Sequence, residues 1–299
     1  MEYGTYFLCA ALSVLMGCAA AAAGYKKHKT GTKAAVLCIF GAALFGVLGA
    51  RLYYIACYHL PGAGMGGRSF VSDRPYEYAA CGAVLGAMAG CALGARLSRL
   101  PAGKALDILA PGAALALVLE RISEVFADSA WGEEILDEQW QFFPVALRDA
   151  YGDWYGAVNL LEAAAALAVL LAFLRPRLRR DGSLFALTLL WWSMGQILCE
   201  SLRAETLRWG FVRVQQVQCA VFGAAVILWA LKRVKGTARA VLPAIYLAGV
   251  GAVIALEFAL DRLPWPRWLD YALMALSLCL MGAAGHTAVR RAEGETALK

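Results

Sequence analysis

The sequence predicts an all-α fold, a polytopic membrane bundle of about nine transmembrane helices. Three observations carry this. The 299-residue chain is 61% hydrophobic with a mean hydropathy of +0.59, above the range of soluble domains. Its apolar residues fall in runs of about 20, the length that crosses a bilayer core as a helix. Its basic residues alternate from loop to loop, as the positive-inside rule requires of a chain threaded repeatedly through a membrane.

The spans are expected at about 4–24, 34–58, 78–96, 105–128, 156–174, 183–203, 215–231, 240–261 and 269–288. The first runs into the basic "KKHKTGTK", which ends it. The second, "AAVLCIFGAALFGVLGARLYYIACY", is apolar apart from Arg51. The third, with "CGAVLGAMAGCALGA", is rich in small residues suited to close helix approach. The fourth begins apolar and ends in "ERISEVFAD". The fifth holds "EAAAALA", the sixth carries Trp192, Gln196 and Glu200, and the seventh is "VQCAVFGAAVILWAL". The last two follow "KRVKGTAR", with Glu257 and Asp261 near the end that precedes "DRLPWPRW". The expected division is a seven-helix domain over 1–231 and an additional two-helix membrane segment over 232–299.

Eighteen of the 28 Lys and Arg lie in the odd-numbered loops and the tail, which places the N-terminus outside and the C-terminus in the cytoplasm. The net charge of +6 follows from this asymmetry and gives no reason to expect nucleic acid. The nine cysteines form no CxxC pair, and the three histidines have no partner at ligand spacing, so no metal is expected.

The polar residues inside the spans share a level. Glu120, Glu124 and Asp128 repeat at i, i+4, i+8 with Arg121 beside them, near the outer end of span four. Arg51 lies in the outer third of span two. Tyr155, Asn159 and Glu162 open span five, and Trp192, Gln196, Glu200 and Arg203 share a face of span six. Charges within a bilayer are costly and mark partners or wet cavities. Two readings remain: structural ion pairs such as Arg121 with Glu162 or Glu200, or a polar cavity admitting a lipid headgroup. Arginine pairs suit an anionic phosphate, and one of the carboxylates can serve as a base.

The order of these residues resembles the prolipoprotein diacylglyceryl transferases of bacterial plasma membranes, over residues 1–231. "YG" at Tyr3 and Gly4 resembles that family's opening of span one. "FGVLGARLYYI" (45–55) resembles its Gly-Arg segment, with Arg51 as the arginine. "DILAP" (107–111) matches its Asp-x-x-Ala-Pro. "ERISEVFADSAWG" (120–132) stands at its Gly-Arg-x-Gly-Asn signature, keeping Arg121, Trp131 and Gly132, with Glu124 for an asparagine. "NLLEA" (159–163) keeps Glu162, and "QILCESLR" (196–203) keeps Glu200 and Arg203. The chain departs from the pattern at Cys81, where the family has histidine, at Gln196, where it has arginine, and at Trp192, where it has tyrosine.

The resemblance implies transfer of a diacylglyceryl group from a phosphatidylglycerol-like phospholipid to a prolipoprotein cysteine thiol, with no cofactor. It implies catalytic roles for Arg121, Glu124, Glu162 and Cys81, with Glu124 or Glu162 as the base. Tyr3, Arg51, Asn159, Gln196, Glu200 and Arg203 would bind and orient the lipid. The replaced histidine and arginine leave an alternative: a catalytically impaired relative that binds a lipid or a membrane partner.

Overall fold

The computed structural model describes residues 3–59, 72–127, 129–174, 178, 180–210, 212–262, 264 and 266–297. Among them are nine α-helices: α1 (Gly4–Lys27), α2 (Thr32–His59), α3 (Ala80–Leu97), α4 (Ala102–Ser123), α5 (Val158–Ala172), α6 (Ser183–Leu202), α7 (Val214–Leu231), α8 (Ala238–Arg262) and α9 (Arg267–Ala297). Seven of these, α1–α4 and α7–α9, are long and apolar enough to cross a membrane by themselves. The protein is an all-α, multi-pass membrane bundle.

The other two show where the hydropathy pattern is incomplete. With 15 residues, α5 is roughly 22 Å long, short of the ~30 Å of a bilayer core. Its expected start at 156 is the last residue of a strand, β2 (Trp154–Gly156), paired antiparallel with β1 (Ala146–Arg148), and the helix begins two residues later. In α6, 13 of 20 residues are buried, so this helix is central and its polar residues face protein.

Close approach explains the small residues. α2 and α3 form the most extensive helix pair, and a Cβ placed on Gly86 would lie 1.8 Å from the Phe45 carbonyl oxygen. Glycine there lets the two backbones touch. At the opposite end from the polar residues, Asp107 of α4 accepts hydrogen bonds from the Gly182 and Phe185 amides at 2.7 and 2.8 Å. It thereby satisfies orphan donors at the N-terminus of α6 and fixes that helix against α4.

The C-terminal pair is packed into the bundle. α9 lies against α6, where Gly282 makes room for the Trp191 ring and Gly285 for Leu190. The Trp191 indole donates to His286 Nδ1 at 3.2 Å. α8 packs mainly on α9 and only lightly on α7.

Segment 131–156 lies over the polar end of the bundle. The Gly132 amide donates to Gly156 O at 2.8 Å, and the Ala204 amide to Trp131 O at 3.1 Å. Gly132 also bridges to Arg203. A Cβ at Gly132 would meet Val158 Cγ2 at 2.9 Å and Leu202 O at 3.2 Å. The "WG" pair therefore ties β2, α5 and the C-terminus of α6 together.

Candidate functional site

Four of the expected site residues form one buried ion cluster. The α4 helix ends at Ser123, and residues Glu124–Phe126 tighten into a 3₁₀ turn. The Glu124 amide still bonds back to Glu120 O, so Glu120, Arg121 and Glu124 keep helical spacing, and the turn breaks the expected i, i+4, i+8 face beyond Glu124. Arg121 Nη1 donates to Glu124 Oε1. Asp128, the third member of the expected face, lies outside the described residues.

Glu162 of α5 sits between two arginines. Its Oε2 is 2.8 Å from Arg121 Nε. The same carboxylate accepts a two-pronged bond from Arg203, Nε to Oε1 and Nη2 to Oε2, both at 2.7 Å. This is the bidentate geometry that a planar guanidinium favours. Arg203 can reach it because it leaves the helix: as the C-cap of α6 it has φ −74° and ψ 136°, an extended conformation. Glu200, fully buried one turn earlier, lies 3.8 Å from Arg203 Nε.

The pairing is incomplete. Glu124 Oε2 has no hydrogen-bond partner among the described residues, and its contact with Arg203 is a long 4.0 Å. Asn159 Oδ1, Gln196 Nε2 and Gln215 Oε1 are likewise buried without partners. Arg121 Nη2 makes no bond among the described residues. Four carboxylates, Glu120, Glu124, Glu162 and Glu200, lie within 4.0 Å of the two guanidiniums, so acid is in surplus, and Glu124 keeps one bare oxygen. Unpaired buried polar atoms cost about 1–3 kcal/mol each, so a ligand that supplied partners would be bound by them.

Three further expected site residues make contacts of their own. Arg51 Nη1 donates to Glu77 Oε2 at 2.7 Å and to Glu77 O at 3.1 Å, between the rings of Tyr54 and Tyr78. Glu77 arrives on the 3₁₀ turn Pro75–Glu77, which hydropathy could not place. Cys81, at the position of the expected histidine, is buried with Sγ 3.6 Å from Cys219 Sγ, where α3 meets α7. Tyr3 caps α1, and it is Tyr6, one turn on, whose hydroxyl reaches Glu120 at 3.3 Å.

Other residues belong here that the sequence did not single out. Arg213 Nη1 donates to the carbonyls of Glu200 and, at 3.2 Å, Arg203, satisfying the C-terminal carbonyls of α6. Gln215 Nε2 lies 3.4 Å from Glu200 Oε2. Glu257 of α8 accepts from Gln216 Nε2 at 2.7 Å and from Ser201 Oγ. The three glutamines of "VQQVQ" (214–218) inside an apolar span were the available signal.

A cavity of about 680 Å³ opens beside the cluster, between α6–α7 and α8–α9. Of the expected site residues, Arg203 alone stands on its wall. Arg121, Glu124, Glu162 and Glu200 are not on that wall and lie between α4, α5 and α6.

Comparison with known proteins places the chain in a family. The family model described as prolipoprotein diacylglyceryl transferase matches residues 1–232. The phosphatidylglycerol–prolipoprotein diacylglyceryl transferase of Clostridium novyi is 30% identical over 191 residues, covering 62% of this chain and 74% of the relative. The protein of that name from Synechococcus elongatus is 29% identical over 219 residues, covering 66% and 72%. That from Bacillus cytotoxicus is 27% identical over 186 residues, covering 59% and 67%. The cluster residues, from Arg121 to Arg203, all lie within the matched segment, and this chain belongs to the prolipoprotein diacylglyceryl transferase family.

Proposed function

We propose that the protein transfers the diacylglyceryl group of phosphatidylglycerol to a prolipoprotein cysteine thiol, and that the Arg121–Glu124–Glu162–Arg203 cluster is where it does so. The observation that carries the assignment is the bare Glu124 oxygen beside two buried arginines. In the transfer, the thiol sulfur attacks the diacylglyceryl carbon bonded to the phosphate oxygen. The S–C bond forms, that C–O bond breaks, and glycerol phosphate leaves with the electron pair. The thiol proton goes to Glu124 Oε2, the carboxylate oxygen that no arginine holds closely.

Glu162 has a different role. Both its oxygens are engaged, so it orients Arg121 and Arg203 toward the departing phosphate and does not serve as the base. Arg203, named with Arg51 among the lipid-binding residues, holds the phosphate together with Arg121, while Arg51 is held by Glu77. Asn159, Gln196 and Gln215 offer their unpaired amide atoms to the glycerol hydroxyls. The proposed orientation has the N-terminus outside, so the cluster lies in the outer leaflet of a bacterial plasma membrane, where the acceptor arrives. The proposed domain division is 1–231 for the transferase unit and 232–299 for the added helix pair.

The test uses purified full-length protein, phosphatidylglycerol labelled in an acyl chain, and a peptide bearing a lipobox cysteine. Label should pass to the peptide, and a cysteine-to-serine peptide should receive none. No transfer by folded protein from phosphatidylglycerol would overturn the reading. Reporter fusions after residues 180 and 239 should read cytoplasmic, and one near residue 140 external.

A further inference from the structure

The cavity beside the cluster changes character along its length. At the outer end, four arginines (Arg203, Arg208, Arg213 and Arg267) face two acids, Glu133 and Glu257. Deeper in, its wall is aliphatic and aromatic, including Val217 and Val221 of α7 and Val250, Ile254 and Phe258 of α8. Val217, Val221 and Ile254 are each about half exposed, so this wall opens sideways between α7 and α8, the two neighbours that pack lightly. The volume of about 680 Å³ lies within the range of small-molecule sites, roughly 300–1,000 Å³. Nearly half of the wall comes from α8 and α9, which lie outside the segment matched by the family model.

We propose that this groove binds an anionic glycerophospholipid, and that α8 makes it specific. The phosphate sits at Arg208 and Arg213, and an acyl chain runs inward between Val221 and Ile254. Charge selects the occupant: with Arg203 held by Glu162, three guanidiniums face two acids, the surplus one favours an anionic over a zwitterionic headgroup, and the apolar length demands a chain. Glu257 is the built-in competitor. It lies 3.8 Å from Arg213 Nε and accepts a 2.7 Å bond from Gln216, so it neutralises the mouth until a phosphate displaces it. The added helix pair thus supplies both the second wall of the groove and the counter-ion of its mouth. The lipid class is taken from the proposed reaction, but the groove is tested by binding alone.

The experiment uses the full-length wild-type chain in nanodiscs, with phosphatidylglycerol or phosphatidylcholine carrying a photoactivatable acyl chain. Adducts are mapped by peptide mass spectrometry. Phosphatidylglycerol should label α7 and α8 near Val221 and Ile254, on the order of tenfold more than phosphatidylcholine does. Ile254→Trp should remove that labelling, and Glu257→Gln should raise it. Equal labelling by the two lipids, or adducts confined to α1–α4, would overturn the groove. So would labelling unchanged by Ile254→Trp. Transfer without adducts on α8 would defeat the groove and leave the reaction standing; adducts on α8 without transfer would do the reverse.

Discussion

Two buried arginines, Arg51 and Arg121, were expected to act together, and they occupy opposite kinds of surroundings. Arg51 and Glu77 form a closed pair: none of their buried atoms is left without a partner, and two tyrosine rings flank the guanidinium. The cluster around Arg121 holds more charge and satisfies it less, leaving bare atoms on Glu124, Asn159, Gln196 and Gln215. Both regions take charge out of water, yet only the second offers bonds to a visitor. Buried charge by itself marks expense. Unspent bonding capacity next to it marks a site.

Changes at Glu162 should separate the regions most sharply. Glu162→Ala leaves Arg121 and Arg203 buried without their shared counter-ion, which should cost about 3–5 kcal/mol of stability. Transfer should be lost with it. Thermal unfolding and labelled-lipid transfer, measured together, check this; a stable and active variant would show that the arginines have other support.

Arg121→Ala comes next. Loss of one preorganised donor to the leaving phosphate should lower kcat by about 10²–10³. Arg51→Ala should act in the other way, destabilising by about 3–5 kcal/mol while rate per folded molecule changes little. The double change Arg51→Met with Glu77→Leu should recover most of that stability, because a closed pair can be replaced by apolar packing. A catalytic loss in the double variant exceeding that of Arg121→Ala would return Arg51 to the site.

The smallest effect is expected at Cys81. Its thiol packs against Cys219, so Cys81→Ala should cost about 1 kcal/mol and change transfer less than tenfold. A loss comparable to that of Arg121→Ala would give the thiol the part that histidine plays in relatives.

Much of the fold was legible because the bilayer imposes length and polarity on each span. The misses fall where another force sets the element. α5 begins two residues later than expected because β2 ends at Gly156, whose carbonyl accepts from the Gly132 amide. α9 continues to Ala297, well beyond the expected end at 288, since hydropathy cannot see a helix that carries on in water. Arg121, Glu162, Glu200 and Arg203 were readable because intramembrane charge is rare. Arg213 and Glu257 were not: one looked like a loop charge and the other like the rim of an appendage. Tyr6 was hidden among the tyrosines common at membrane interfaces. Cys81 was assigned by position in a motif, and motif position says nothing about what packs on the side chain.

In the proposed reaction Glu124 takes the thiol proton while Glu162 holds the arginines. This division of roles is tested most directly by Glu124→Gln, which keeps the shape and one hydrogen-bonding oxygen but removes the base. At saturating phosphatidylglycerol, kcat for transfer to a lipobox peptide should fall by about 10²–10⁴, with the melting temperature and lipid labelling unchanged. A Glu124→Gln protein that turns over at the wild-type rate would contradict the account.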